Sequence, residues 1–340
     1  MRYIFEFNHP KHYYQFKYVM EGLQSHGHEI LILARDKDVL LNVLNEKKVQ
    51  YHIFGKHNKT MLTKILGTFS LVNNYLKIAR RYKPDVIVSK ASWYGTFTAR
   101  LLGIKSVIFP DSEVVVLTNK FVVPICSKVV TPQNFQLNYG KKHVRVAGIY
   151  EDCYLSPHVF TPNDAVVNEY GLVKPYAIVR FVGWYANHDV GKNGFSLEDK
   201  IKLVESISKN MTVYVSSESQ LPVQLEKYRL PTPASRIHDV LSSADLYIGD
   251  SQTMASEAAL LGTPAIRSNS FVGPDDMSNF KMLENEYHLL YNIAIPDEAI
   301  SKAEEMSATS QKEIWQQRRT EYYQHIGDIN AAIVKILETW

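Results

Sequence analysis

The sequence predicts an α/β fold made of two similar domains, each a mainly parallel sheet covered by helices. Two observations carry that reading. Short apolar runs alternate with longer amphipathic stretches, and the alternation restarts after a segment rich in Pro, Asp and Asn. Strand-length segments alternating with helix-length ones are the mark of βαβ units. A chain of 340 residues is long enough for two domains of ordinary size.

In the first half, apolar runs at 3–7, 29–34, 51–54, 85–88, 106–109 and 128–130 read as strands. Helical periodicity fills 12–25, 36–46, 62–82 and 94–102 between them. The interruption lies at 148–176, which carries Pro157, Pro162 and Pro175. Beyond it, strands are expected at 176–182, 212–215, 245–248, 265–266 and 289–293, with helices at 197–208, 233–243 and 253–261. The tail reads as one or two long helices. The boundaries predict an N-terminal domain over 1–152, a second over 153–310, and C-terminal helices over 311–340 that pack back on the first domain.

Composition narrows the function classes. Lys and Arg number 38 against 35 Asp and Glu, a net charge of +3. Nucleic-acid binders usually show a concentrated basic stripe, so none is expected as a partner. The mild excess leaves peripheral contact with an anionic membrane open. The two cysteines, Cys126 and Cys153, make no disulfide framework and no zinc spacing, and are expected as unpaired thiols in a reducing compartment. Residues 1–7 read as a first strand rather than a signal peptide, and no uncharged apolar run approaches the length of a membrane span. The expectation is a soluble, cytoplasmic protein, with the inner face of the membrane as an open alternative.

The local pattern richest in chemistry begins where strand 245–248 ends at Gly249-Asp250-Ser251. Residues 253–261 make a good helix, stopped by Gly262. Gly249 lets the backbone turn tightly, and Ser251 or Gln252 is placed to cap the helix. Free N–H groups at the positive end of a helix suit a phosphate or diphosphate. Glu257 falls one turn after Thr253, where a carboxylate could accept hydrogen bonds from ribose hydroxyls. Junctions of this kind are common in α/β folds, so the pattern alone has low specificity.

The residues Ala244-Asp245-Leu246, Gly249-Asp250-Ser251 and the stretch from Glu257 to Ile266 resemble the C-terminal-domain signature of GT-B glycosyltransferases. They are similar both to the lipid-linked GlcNAc transferase of peptidoglycan synthesis and to the non-hydrolysing UDP-GlcNAc 2-epimerases. The resemblance implies a GT-B fold, two Rossmann-like domains with an interdomain cleft. It also implies a diphosphate held by the loop and helix start and a ribose held by the helix glutamate. By motif position it implicates Ser251, Gln252, Thr253 and Glu257. A wider resemblance rests on Asn8-His9-Pro10, Ala34-Arg35-Asp36-Lys37-Asp38, Arg180-Phe181-Val182-Gly183-Trp184, His188-Asp189-Val190-Gly191 and the stretch from Ile266 to Gly273. These look like an uncharacterised bacterial and archaeal family described as glycosyltransferase-like domains of unknown function. That match is specific for fold and nearly silent on substrate.

Other segments would face the cleft of a GT-B arrangement. The loop from Phe7 to His12 ends the first strand, and ligands of open α/β sheets bind beyond the carboxyl ends of strands. His9 or His12 could be a general base for an acceptor hydroxyl; alternatively one histidine caps the first helix and the other is exposed. In the loop from 180 to 191, Arg180 could neutralise diphosphate charge, and His188 and Asp189 could position phosphate or sugar; the alternative is a structural turn pinned by Trp184. In the loop from 267 to 279, Asp275, Asp276 and Asn279 have groups that sugar hydroxyls require, while paired Asp could instead bind a divalent metal or cap a helix beginning near Met277. GT-B transferases do not usually need a metal to hold the diphosphate, so none is expected. Ser217 could line the phosphate side, and His238 either lies near the base or is a solvated residue of a helix N-terminus. The segment Asp111-Ser112-Glu113 could offer an acceptor-side carboxylate, with Glu113 equally a first-turn helix acid.

The reading that follows is a transferase using a nucleoside-diphosphate sugar, UDP-linked by preference, with no permanently bound cofactor. Its partners would be the nucleotide-sugar and a glycan, lipid-linked or other hydroxyl acceptor, and its product a cell-surface polysaccharide or glycoconjugate. A 2-epimerase needs the same donor site. It carries a Gly-Thr-Arg-Pro-Glu-like segment after its first strand, from which Phe7-Asn8-His9-Pro10-Lys11 departs. A non-catalytic nucleotide-sugar binder is the third reading.

Overall fold

A computed structural model describes residues 1–36, 40–56, 61–111, 113, 118–183 and 193–340. The chain divides into two compact units. Unit 1 comprises Met1–Tyr154 together with Asp328–Trp340, and unit 2 comprises Leu155–Gly327.

Unit 1 is built on seven strands: β1 (Arg2–Phe7), β2 (Glu29–Asp36), β3 (His52–Lys56), β4 (Val86–Ser89), β5 (Lys105–Ile108), β6 (Lys128–Pro132) and β7 (His143–Val146). They pair in parallel in the order β3-β2-β1-β4-β5-β6-β7. The central strands are nearly continuous apolar runs because a parallel sheet is covered on both faces. Alternate residues of β1 feed two cores: Tyr3, Phe5 and Phe7 join one, Ile4 the other. Strand β7 was not legible as an apolar run, since its sequence HVRV is mostly half-exposed at the sheet edge. Strand order reverses between β1 and β4, and the crevice beyond the carboxyl ends at such a switch point is where open α/β sheets bind ligands.

Unit 2 carries β8 (Tyr176–Phe181), β9 (Thr212–Ser217), β10 (Leu246–Gly249), β11 (Ala265–Arg267) and β12 (Tyr291–Asn292), parallel in the order β12-β11-β10-β8-β9. Its switch point lies between β8 and β10.

The tail divides between the units. The helix Lys312–Ile326 stays with unit 2, where Trp315 is buried and donates Nε1–H to the Leu289 carbonyl at 2.7 Å. Gly327, in the left-handed region at φ 68°, turns the chain. Only the helix Ile329–Glu338 packs on unit 1, placing Ile329, Ile333, Val334 and Leu337 in its core. Among the described residues no helix is long and apolar enough to cross a membrane.

Candidate functional site

In unit 2 the polar residues gather where β8, β9, β10 and β11 end. The helix Gln252–Leu260 follows β10, and Ser251 is its cap: the hydroxyl accepts the Met254 N–H at 3.3 Å. This leaves the Gln252 and Thr253 amides in the open first turn, at the positive end of the helix dipole. Gly249 is demanded by the neighbouring strand. A Cβ there would lie 2.5 Å from the Arg180 carbonyl oxygen and 2.8 Å from the Tyr247 hydroxyl.

Asp250, quoted in the sequence pattern but given no role, anchors the turn. It is 1 % exposed, and its carboxylate accepts the Val182 N–H at 2.8 Å, tying the end of β8 to the β10 turn. Asn269, beyond β11, donates its side-chain amide to the Asp250 carbonyl at 2.9 Å and accepts the Phe271 N–H at 3.0 Å. Ser270 and Asn193 exchange two hydrogen bonds, which bring residue 193 to the same loop. The backbone around the helix start is therefore held from three sides.

Glu257 sits one turn into the helix, buried, with its carboxylate 3.2 Å from His238 Nε2. His238 belongs to the helix Ile237–Ser243 and packs edge-on against the Phe160 ring at 6.0 Å. It is not a solvated residue. Burial lowers its pKa, but the Glu257 charge and hydrogen bond outweigh burial and leave it raised. Arg236, at the start of this helix, pairs with Asp239 at 2.9 Å and Glu169 at 2.7 Å.

Arg180 lies at the end of β8, with its fork on the Ser216 hydroxyl and the Glu218 carboxylate, both at 2.7 Å. Its charge is already partnered by Glu218, so any phosphate would share it. Ser217 accepts the Ser219 N–H at 3.3 Å and is half-buried.

The loop before the helix Ser278–Asn285 differs from the sugar-contacting reading. Asp276 is buried in an ion pair with Arg267, which is 0 % exposed, stacks on the Phe280 ring at 3.6 Å and donates Nε–H to Asn292 at 2.8 Å. Asp276 Oδ1 also accepts the Met277 N–H at 2.8 Å. Its carboxylate is taken up by these bonds and braces β11 and the loop, and Met277 rather than an Asp is the helix cap residue. Asp275 is exposed and Asn279 half-buried in the first turn of that helix. His188 and Asp189 lie outside the described residues.

In unit 1, His9 caps the helix Pro10–Ser25: its Nδ1 accepts the Lys11 N–H at 3.2 Å and the ring is exposed. His12 is buried, and its Nδ1 accepts the Asn8 N–H at 3.2 Å. Burial foremost, and then the positive charge of Lys90, hold His12 down at about 3. A ring so reluctant to accept a proton is a poor general base at neutral pH, which corrects that expectation for His12.

Around it lie Asp111, which the sequence singled out as an acceptor-side carboxylate, and residues to which the sequence pattern assigned no role, Lys90, Glu151 and Glu6. Lys90, immediately after β4, is buried, paired with Asp111 beyond β5, and sits 3.6 Å from the centre of the Tyr150 ring. Lys11 pairs with Glu151 at 2.8 Å. Glu6, wholly buried on β1, accepts bonds from the Ser92 hydroxyl and, at 2.9 Å, from the Asn8 amide; burial raises its pKa. Gly95 leaves room for that carboxyl, since a Cβ there would collide with it. The available signal was positional: Lys90 lies just beyond the apolar run at 85–88, at the carboxyl end of a strand, where open α/β sheets bind their ligands.

Residues 3–151 match the family described as protein of unknown function, DUF354. An uncharacterised protein of Methanocaldococcus jannaschii is 22% identical over 268 residues, 75% of this chain and 78% of that protein. Among solved structures, the UDP-GlcNAc 2-epimerase of the same organism superposes with a TM-score of 0.69 at 14% identity, covering 99% of both chains. The spinosyn rhamnosyltransferase SpnG, complexed with spinosyn aglycone, gives 0.63 at 14% identity over 100% of both chains. MurG of Acinetobacter baumannii gives 0.62 at 15% identity over 99% of both. The fold is GT-B, with two Rossmann-like domains.

Proposed function

We propose that this protein is a glycosyltransferase that takes a nucleoside-diphosphate sugar as donor, with the nucleotide held by unit 2 and a hydroxyl acceptor handled by unit 1. The observation that carries the reading is the open first turn of the helix Gln252–Leu260, with the paired carboxylate of Glu257 one turn further on. The diphosphate would sit on the Gln252 and Thr253 amides, and the ribose hydroxyls would donate to Glu257. Charge developing on the leaving diphosphate would be met by the helix dipole and by Arg180, shared with Glu218. His188, Asp189, Ser217, Asp275 and Asn279 remain candidates for the sugar and phosphate side. A cytoplasmic place, peripheral to the membrane, and a cell-surface glycoconjugate as product belong to the same proposal.

The epimerase reading has one observation in its favour, the higher TM-score of the epimerase neighbour. The departure at Phe7-Asn8-His9-Pro10-Lys11 weighs against it. Incubation with UDP- and GDP-sugars separates the readings. UDP release without a change in the sugar supports transfer, and 2-epimerised donor without an acceptor overturns it. Glu257→Ala should weaken UDP binding by calorimetry about tenfold or more, the range expected for lost hydrogen bonds to a charged group. An unchanged affinity removes the site.

A further inference from the structure

Unit 2 sets a titrating ring beside the place where an anion would bind. His238, on the helix Ile237–Ser243, faces the Glu257 carboxylate at 3.2 Å. Glu257 lies one turn inside the helix Gln252–Leu260, whose open first turn would hold the diphosphate. Both partners are shielded from water: the Glu257 side chain is 10 % exposed and that of His238 21 %. A carboxylate so far out of water is costly without a counter-charge, and an imidazole supplies one only when it carries a proton.

The ring is held in place from outside. It packs edge-on against Phe160, and its helix is tied to the segment that follows Phe160. Arg236 pairs with Glu169 at 2.7 Å, Asp239 accepts the Asn163 N–H at 3.0 Å, and the Ser243 hydroxyl donates to Asp164 at 2.6 Å. These contacts also set the charges around His238. Glu257 faces it from the next helix and Asp239 from its own. On the side of residues 160–169, Glu169 is neutralised by Arg236, and Asp164 is engaged by Ser243. At the strand ends, Arg180 is shared with Glu218. Both guanidinium groups keep their charge near neutral pH, whereas an imidazole does not. Among these described groups, the charge that changes near neutrality is the one on His238.

We propose that His238 is a positioning residue of the nucleotide site that couples donor binding to a proton: the protonated ring holds Glu257 for the ribose and offsets its charge against the diphosphate. The assignment rests on the nucleotide reading of unit 2. Ribose hydroxyls are donors, so Glu257 must be ionised to accept them. A carboxylate without its counter-charge, one turn from a bound diphosphate, repels it; an imidazolium–carboxylate pair does not. The proton comes from solvent and stays on the ring. By linkage, the bound anion strengthens the hold of His238 on its proton, and the proton strengthens nucleotide binding by the same factor. The sign follows: the nucleotide binds best below the His238 pKa of the free protein and more weakly as pH rises through it. Burial lowers that pKa, but the Glu257 charge outweighs burial, so the transition lies above the ordinary histidine value of about 6.5.

The test uses the full chain with UDP-GlcNAc and UDP-glucose, which lack the terminal phosphate monoester that titrates at about pH 6. Calorimetry across the His238 transition, in buffers of different ionisation heat, should show affinity falling about tenfold as pH rises, the scale of one charge interaction near a protein surface. It should also show a fraction of a proton taken up for each nucleotide-sugar bound. His238→Gln keeps an amide to donate to Glu257 and loses the titration. Its affinity should be flat with pH, near the high-pH value of the wild type, with no proton uptake. A merely structural role would weaken binding equally at every pH. Wild-type affinity that is flat across the transition, or uptake that persists in His238→Gln, overturns the proposal and leaves the nucleotide site standing. If His238→Gln fails to fold, proton NMR of the wild type decides: the His238 transition must move up when the nucleotide-sugar binds, and an unmoved transition overturns the assignment. A wild-type chain that binds neither nucleotide-sugar at any pH, or that binds both unchanged in Glu257→Ala, overturns the nucleotide reading and this proposal with it.

Discussion

A buried histidine and a half-buried one show how placement decides chemistry at the scale of the residue. His12 has the Asn8 amide on Nδ1 and the positive charge of Lys90 nearby, so both burial and charge disfavour its protonation. His238 is also desolvated, but its neighbour is the Glu257 carboxylate, and the sign reverses. Proton NMR should therefore find no His12 transition above pH 5. It should find His238 titrating above the ordinary histidine value of about 6.5. In Glu257→Gln that charge is gone and burial is opposed only by the weaker pull of Asp239, so the His238 transition should fall. A histidine at position 12 titrating near neutrality would restore it as a general base. The linkage has a definite sign: because the folded pKa of His238 is raised, the stability its ion pair contributes is present at acid pH and lost as pH rises through that pKa.

At the scale of the element, strand–helix junctions are where sequence pattern and tertiary role part company. The alternation of apolar runs and amphipathic stretches was legible because a parallel sheet buried on both faces demands it. So was the helix after β10, through Ser251 and the glycines around it. The roles of the two aspartates in the next loop were not legible. Asp275 is exposed, while the adjacent Asp276 is sealed against Arg267, and nothing in the dipeptide distinguishes them before β11 fixes where Arg267 lies. Likewise Lys90 and Asp111 are 21 residues apart in sequence and meet only because β4 and β5 are neighbours. Asp276→Ala would leave a buried guanidinium without its carboxylate, a loss of about 3–5 kcal/mol. Urea unfolding should show that loss, while UDP affinity of the folded fraction stays unchanged. A stable Asp276→Ala protein with weakened sugar-nucleotide binding would return Asp276 to the ligand site.

For the molecule as a whole, the contribution of its last residues to unit 1 is the decisive fact. Four side chains of the helix Ile329–Glu338 complete a core that begins at Tyr3. The Tyr3 hydroxyl donates to the Leu337 carbonyl at 3.0 Å, Asn330 donates to the Cys153 carbonyl at 3.0 Å, and Lys128 reaches the carbonyls of Ile336 and Thr339 at 3.0 and 2.8 Å. Burying four such apolar side chains is worth about 1.5–3 kcal/mol each. Their sum is comparable to the whole stability of an ordinary domain, about 5–15 kcal/mol. Unit 2 already holds its own closing helix, Lys312–Ile326, through Trp315 and through Lys312, whose ammonium donates to the Ser242 and Ala244 carbonyls at 2.6 and 2.8 Å. A chain ending at Gly327 should therefore lose hydrogen-exchange protection throughout β1–β7 while β8–β12 stay protected, and calorimetric UDP binding should survive in part because Ser251, His238 and Glu257 all lie in unit 2. Protection retained in the first sheet would mean that the final helix only covers a core already closed. Protection lost from both sheets would mean that the two units fold as one.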